Sequence, residues 1–171
     1  FEALELRYRV LVDVSRRDLS TEVLGEKIDL PIMLAPTGTH QRAHPLGELA
    51  SARAAGASGT ILGLSTASSY SIEEVAGAAT GPLWFQLYFF PDRELTETLV
   101  RRAQRAGYTG LMLTVDNLGA NSREREHRYA YILESERTLK NFEGIELPNL
   151  PTRENFAESF DHSLNWADLE W

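Results

Sequence analysis

Four short β-leaning apolar runs, Leu30 to Ala35, Thr60 to Leu64, Leu83 to Tyr88 and Leu111 to Val115, recur along the chain with helical patterns between them. That alternation constrains the fold more than any other feature, because strand-helix-strand units place successive strands parallel in one sheet. Pro36 stops the first run. Between Pro45 and Ala55 the apolar positions Leu46, Leu49, Ala50 and Ala54 fall at spacings of three and four, which predicts a helix ended by Gly56.

Ser71 with Glu74 three residues later forms a capping-box pattern for a short helix containing Ile72 and Val75, and Gly81-Pro82 breaks the chain again. Asp92 is placed to cap a helix whose apolar face is Leu95, Leu99, Val100, Ala103 and Ala106, with Gly107 as its stop. Beyond the fourth run the character changes. Asn117 to Arg128 is polar and charged with no sustained period, which reads as a long loop. Ala130 to Asp161 carries Pro148 and Pro151 and reads as a surface excursion, and Leu164 to Trp171 opens one further helix.

Four such units fit either an open doubly wound sheet or part of an eight-stranded (β/α)8 barrel, and pattern alone does not choose between them. With 171 residues, the chain could supply only part of a barrel that typically needs about 250. At 43% hydrophobic and 25% charged residues the composition suits a single globular domain. The net charge of -8 offers no basic surface for nucleic acid or an anionic membrane, and no apolar stretch approaches the roughly 20 residues that span a bilayer. The absence of cysteine excludes disulfides and thiolate chemistry, and makes a cytoplasmic location the simplest expectation.

In either architecture ligands gather at the C-terminal ends of the strands. Those ends are Pro36-Thr37-Gly38, Ser65-Thr66, Gln86-Leu87-Tyr88 and Thr114-Val115-Asp116. Hydroxyls, an amide, a phenol, a carboxylate and a glycine that admits close backbone approach suit a flat heteroaromatic ring with many hydrogen-bonding edges, of which a flavin is one. Each residue also has a plainer reading. Gln86 could be a buried amide satisfied by backbone, Thr114 an ordinary strand residue, Asp116 a turn or cap residue, and Arg123 one of a solvated run of charges. His40 and His44 lie four apart, but Pro45 follows at once and no nearby carboxylate completes a metal site. Dinucleotide, nucleoside-triphosphate and serine-hydrolase signatures are absent.

At these same strand ends the sequence resembles the FMN-dependent 2-hydroxy acid oxidase and dehydrogenase family, which includes glycolate oxidase, lactate oxidase, lactate monooxygenase and mandelate dehydrogenase. The resemblance runs in order through Leu30 to Gly38, Ala43 to Glu48, Ala52 to Ala55, Gly59 to Ile61, Phe85 to Tyr88, Asp92-Arg93 and Leu113 to Asp116. Weaker matches continue through Leu139 to Gly144 and Ser163 to Trp166. It implies a TIM (β/α)8 barrel, with residues 1–171 as the N-terminal half of one FMN-binding domain: its first four strand-helix units and a long loop after the fourth strand. By position Pro36, Thr37 and Gly38 would lie beside the flavin, and Ser65, Gln86 and Thr114 would hydrogen-bond its ring. Tyr88 would face the substrate's reacting oxygen, Asp116 would hold the family's catalytic histidine, and Arg123 would lie on the active-site loop near substrate.

The implied reaction oxidises a small 2-hydroxy acid to a 2-keto acid, with the flavin reoxidised by oxygen or another acceptor. The resemblance further implies a complementary C-terminal half carrying the histidine base, a substrate-binding arginine and the flavin phosphate site, and a homo-oligomer, a tetramer by family habit. A non-catalytic half-barrel that serves binding or assembly is the competing expectation. Two departures from the family stand out: Ala67 occupies a position where glycolate oxidases often have an aromatic, and Gly38 replaces a common alanine.

Overall fold

The computed structural model describes residues 5, 7–116, 139–152 and 155–170. A hairpin comes first: β1 (Thr21–Val23) and β2 (Glu26–Ile28) pair antiparallel, with Thr21 opposite Ile28. Its turn residues Leu24 and Gly25 both have positive φ, 49° and 89°, the handedness that lets two strands reverse over two residues. A leucine there is not a usual turn signal, and the hairpin was not foreseen from the pattern.

Three strands form the parallel sheet, β3 (Leu62–Ser65), β4 (Leu83–Leu87) and β5 (Gly110–Leu113), in that spatial order. Register sets Ser65 beside Gln86 and Gln86 beside Met112. The first predicted strand is the main correction. Instead of a regular strand over 30–35, the chain makes a single parallel bridge, Leu34 to Leu62, with Leu34 N donating to Ile61 O and Gly63 N to Leu34 O. Pro31 cannot donate, and Ile32 N is spent on Leu30 O, so the ladder that starts with Asp29 N to Gly59 O is interrupted before Leu34 resumes it.

The helices are α1 (Gly47–Ala57), α2 (Ile72–Ala78) and α3 (Arg93–Arg105). Helix α1 continues through Gly56, whose own neighbours are Thr80 and Gly81. A Cβ at position 56 would lie 2.7 Å from Gly81 N, so the glycine serves close packing and does not stop the helix. The capping box forms as predicted, with Glu74 N donating to Ser71 Oγ and Ser71 N to the Glu74 carboxylate. Asp92 caps α3 by accepting from Glu94 N and Leu95 N, and Gly107, at φ 91°, follows it. The predicted last helix is a 3₁₀ turn, Trp166–Glu170, and the excursion before it holds two more, Lys140–Phe142 and Phe156–Glu158.

Strand periodicity sorts side chains to two faces. Leu62, Leu64, Leu83, Phe85 and Leu87 pack outward against Ala52 and Ala55 of α1, Ile72 and Val75 of α2, and Leu95, Leu99 and Ala103 of α3. On the opposite face Ile61 and Trp84 pack with Ile28 of the hairpin and with Met33 and Met112. Gly63 and Gly110 make room there: a Cβ at 110 would sit 2.6 Å from the Trp84 ring, and one at 63 would sit 2.4 Å from Met112 Cε. The inner face is thus apolar at its lower end, and its polar residues lie above, at the C-terminal ends of the strands.

Candidate active site

Gln86 organises that upper end. Its side chain is 4% exposed, and its Oε1 accepts from Thr66 N at 3.2 Å and from Ser65 Oγ at 3.2 Å. A backbone N–H can only donate, so the atom facing Thr66 must be the amide oxygen, and the amide nitrogen must be the one that donates to Thr114 Oγ1, at 2.8 Å. Ser65 is likewise fixed as a donor to Gln86, while its oxygen accepts from Ala67 N at 3.1 Å. Two donor hydrogens remain once these bonds are made: the second N–H of Gln86 and the Thr114 hydroxyl.

The loop Pro36-Thr37-Gly38 lies against this row. Thr39 N donates to Ala67 O at 3.0 Å, and a Cβ on Gly38 would meet Ala67 O at 3.2 Å and Ser65 Oγ at 3.7 Å. The Pro36 ring approaches Gly63, its Cδ 3.1 Å from where a Cβ would stand, and the exposed Thr37 hydroxyl bonds back to Ala35 O. Ser65, Gln86, Thr114 and Gly38 are therefore brought together, with Pro36 and Thr37 on their border.

Tyr88 stands one step along the strand direction from Gln86. Its ring stacks on Phe160, with centroids 4.1 Å apart and planes at 16°, and meets Phe156 edge-on at 5.7 Å. Tyr88 and Thr114 line one cavity of about 490 Å³, shared with Leu113, Val115, Phe160 and Trp166 among others. Asp161, also on its wall, is held by Arg93 at 3.0 Å, and the Ser163 hydroxyl, more than Arg93, keeps its carboxyl below the usual carboxylate range. Asp116 is exposed just past β5, and Arg123 lies outside the described residues.

Asn141 and Glu48 are buried polar residues that the sequence reading does not single out. Asn141 is fully buried; its Oδ1 accepts from Ile72 N at 2.9 Å, and its Nδ2 donates to Thr66 O and Ser68 Oγ, each at 2.9 Å. Glu48, 1% exposed, accepts through Oε1 from His40 N and Ser69 N, each at 2.9 Å. Periodicity pointed away from Glu48: the spacing predicts an apolar face of Leu46, Leu49, Ala50 and Ala54, whereas α1 buries Gly47, Glu48, Ala52 and Ala55 and leaves Leu46 and Ala54 exposed. Asn141 offered no signal, since its partners lie some seventy positions away in sequence.

The profile of a family described as FMN-dependent dehydrogenase matches residues 1–171. The chain is 44% identical to glycolate oxidase 1 of Zea mays and to glycolate oxidase of Spinacia oleracea, over 100% of its own length and 48% of theirs. Among solved structures, a soluble mutant of the membrane-associated (S)-mandelate dehydrogenase of Pseudomonas putida superposes with a TM-score of 0.85 at 41% identity, covering 98% of this chain and 48% of that one. The chain thus spans about half the length of the relatives it matches, and its strand-helix units are those of a (β/α)8 barrel.

Proposed function

The chain belongs to the FMN-dependent dehydrogenase family, and from that premise we propose that it forms the flavin-ring half of an enzyme that oxidises a small 2-hydroxy acid to the 2-keto acid. The observation that carries the reading is the hydrogen-bonded row Ser65, Gln86 and Thr114 on the inner face of adjacent strand ends, with two donor hydrogens left over. Carbonyl oxygens on the polar edge of a flavin ring would take those donors, and the close-packed Gly38 leaves a side-chain-free surface beside them.

FMN, when bound, supplies a two-electron acceptor for the substrate's hydride. The residues of this chain then have separable tasks. Pro36, Thr37 and Gly38 would flank the ring, and Ser65, Gln86 and Thr114 would hold its polar edge. Tyr88 would direct its phenol to the substrate's reacting oxygen from the cavity it shares with Thr114. Asp116 would orient and charge-stabilise a histidine base, and Arg123 would lie close to substrate. The histidine, a substrate-binding arginine and a phosphate site are expected from the complementary half of the barrel. The names glycolate oxidase and mandelate dehydrogenase among its relatives support a 2-hydroxy acid as substrate class; lactate belongs to the same class.

The test is to purify the full-length protein, record its visible spectrum, and add glycolate, lactate or mandelate without oxygen. Flavin bands that bleach with at least one of these acids are the expected result. A protein that takes up no FMN, or whose flavin none of the three bleaches, would remove the reading.

A further inference from the structure

We propose that Glu48 is a positioning residue for the flavin, clamping together the two loops that present Gly38 and Ser65; this rests on the function proposed above. Glu48 belongs to the first turn of α1, whose other core-facing residues include Ala52 and Ala55, yet it is as buried as they are. What it touches explains the placement. Its Oε1 accepts at 2.9 Å from His40 N, in the loop that follows Gly38, and at 2.9 Å from Ser69 N, in the loop that follows Ser65. One carboxylate oxygen thus satisfies an amide from each loop, partly buried at His40 and buried at Ser69, and Oε2 is buried with no hydrogen-bond partner.

The clamp does not act alone, but the other links tie only one atom to one atom. Thr39 N donates to Ala67 O at 3.0 Å, and Gln41 N to Ser69 Oγ at 3.2 Å. These two bonds join one segment directly to the other, whereas Glu48 ties both segments to α1. Their geometrical consequence is the gap between Gly38 and the Ala67–Ser65 turn, where a Cβ would already be crowded at 3.2 Å. Without Glu48 the buried Ser69 amide and the partly buried His40 amide lose their acceptor, and the loops relax toward water or toward each other. Either movement shifts the surface beside Gly38 against the row that Ser65 anchors through Gln86 to Thr114, and that surface and that row would hold the flavin ring.

Three substitutions in the full-length protein separate positioning from bulk stability. Glu48→Ala removes both acceptors, Glu48→Asp keeps the charge but draws it back by one methylene, and Glu48→Gln keeps an oxygen that can accept from both amides. FMN dissociation constants from titration of the apoprotein, the visible spectrum of the bound flavin, and thermal midpoints are measured for each. The expectation is affinity weakened at least about tenfold in Glu48→Ala, and clearly weakened in Glu48→Asp, with a shifted flavin spectrum in both. Glu48→Gln should restore affinity and spectrum. If Glu48→Ala does not fold, the contrast between Glu48→Asp and Glu48→Gln carries the test. Wild-type affinity and spectrum in Glu48→Ala or in Glu48→Asp, whatever the thermal midpoint, would overturn the proposal, as would a Glu48→Gln variant as damaged as Glu48→Asp. Wild-type protein that binds no FMN would instead remove the underlying function.

Discussion

The Gln86 amide nitrogen donates to the Thr114 hydroxyl oxygen across 2.8 Å, so the threonine's own proton points away from Gln86, out of the row. That polarity is imposed from the far end, where Thr66 N and Ser65 Oγ both need the amide oxygen. Glu in place of Gln86 would keep an acceptor for Thr66 and Ser65 but put an acceptor opposite Thr114. Thr114 must then turn its proton inward, and both leftover donors are lost. Gln86→Glu is expected to weaken FMN binding by about ten- to a hundredfold, read by flavin titration, while the apoprotein stays folded by circular dichroism. Unchanged affinity would mean that the row does not face the flavin.

The inner face also makes two glycines unequal. At Gly110 a methyl would press on the Trp84 ring at 2.6 Å, and Trp84 is 7% exposed and wedged among Ile28 and Ile61. At Gly63 the nearest atom, Met112 Cε, is the free end of a flexible chain, although Pro36 Cδ and Leu34 O stand at 3.1 and 3.3 Å. Gly110→Ala should therefore cost more, about 2–3 kcal/mol against about 1–2 for Gly63→Ala. Urea denaturation of the two variants checks the order, and equal costs would show that the tryptophan can move aside.

How much of this was legible depended on the range of the interaction. The Ser71–Glu74 box and the Asp92 cap rest on contacts within a few residues, and strands β3 to β5, though they pair over longer separations, each show as a local apolar run, so the pattern located them. The strand at Leu34 did not form in full because Pro31 and a local Ile32–Leu30 bond compete with the ladder, which an apolar run does not disclose. The candidate site residues follow from one topological rule, that strand ends carry chemistry, together with family resemblance. Glu48 and Asn141 obey no local rule; their partners are brought near only by the completed fold.

Arg102 supplies a pH dependence with a definite sign. Its guanidinium grips Glu73 through two bonds of 2.8 and 2.7 Å and donates to Asn141 O at 2.5 Å. The Arg102 hydrogen bonds hold the Glu73 carboxyl below its usual 4.5, so the pair stabilises the fold above that value and the contribution is lost as pH falls through the lower folded value. Glu73 is half exposed, which keeps the pair's share below about 1 kcal/mol. Arg102→Met should thus be destabilised by about 1–2 kcal/mol at neutral pH, with the deficit shrinking as pH falls below the ordinary glutamate range toward what the Asn141 carbonyl bond contributes. Urea midpoints measured from neutral pH down into the acid range test this, and a deficit that grows on acidification would contradict it.

Phe160 bears on what would hold the Tyr88 phenol still in the proposed reaction. Its ring is 5% exposed and covers the Tyr88 ring face to face at 4.1 Å. Its own position is secured next door, where Asp161 N donates to Phe89 O and the Asp161 carboxylate meets Arg93, itself stacked over the Phe89 ring at 4.2 Å. Leucine at 160 would fill most of the volume but offer Tyr88 no flat surface, so the phenol would gain freedom about its own axis and lose aim. Phe160→Leu is expected to cost about 1–2 kcal/mol of stability and to lower kcat/KM for the 2-hydroxy acid about three- to tenfold, at temperatures where the variant is fully folded. Phe156→Leu, which removes only an edge contact at 5.7 Å, should lower kcat/KM less. A Phe160→Leu enzyme with a reduced thermal midpoint and unaltered kcat/KM would show that the stack serves packing alone and that Tyr88 is aimed by something else.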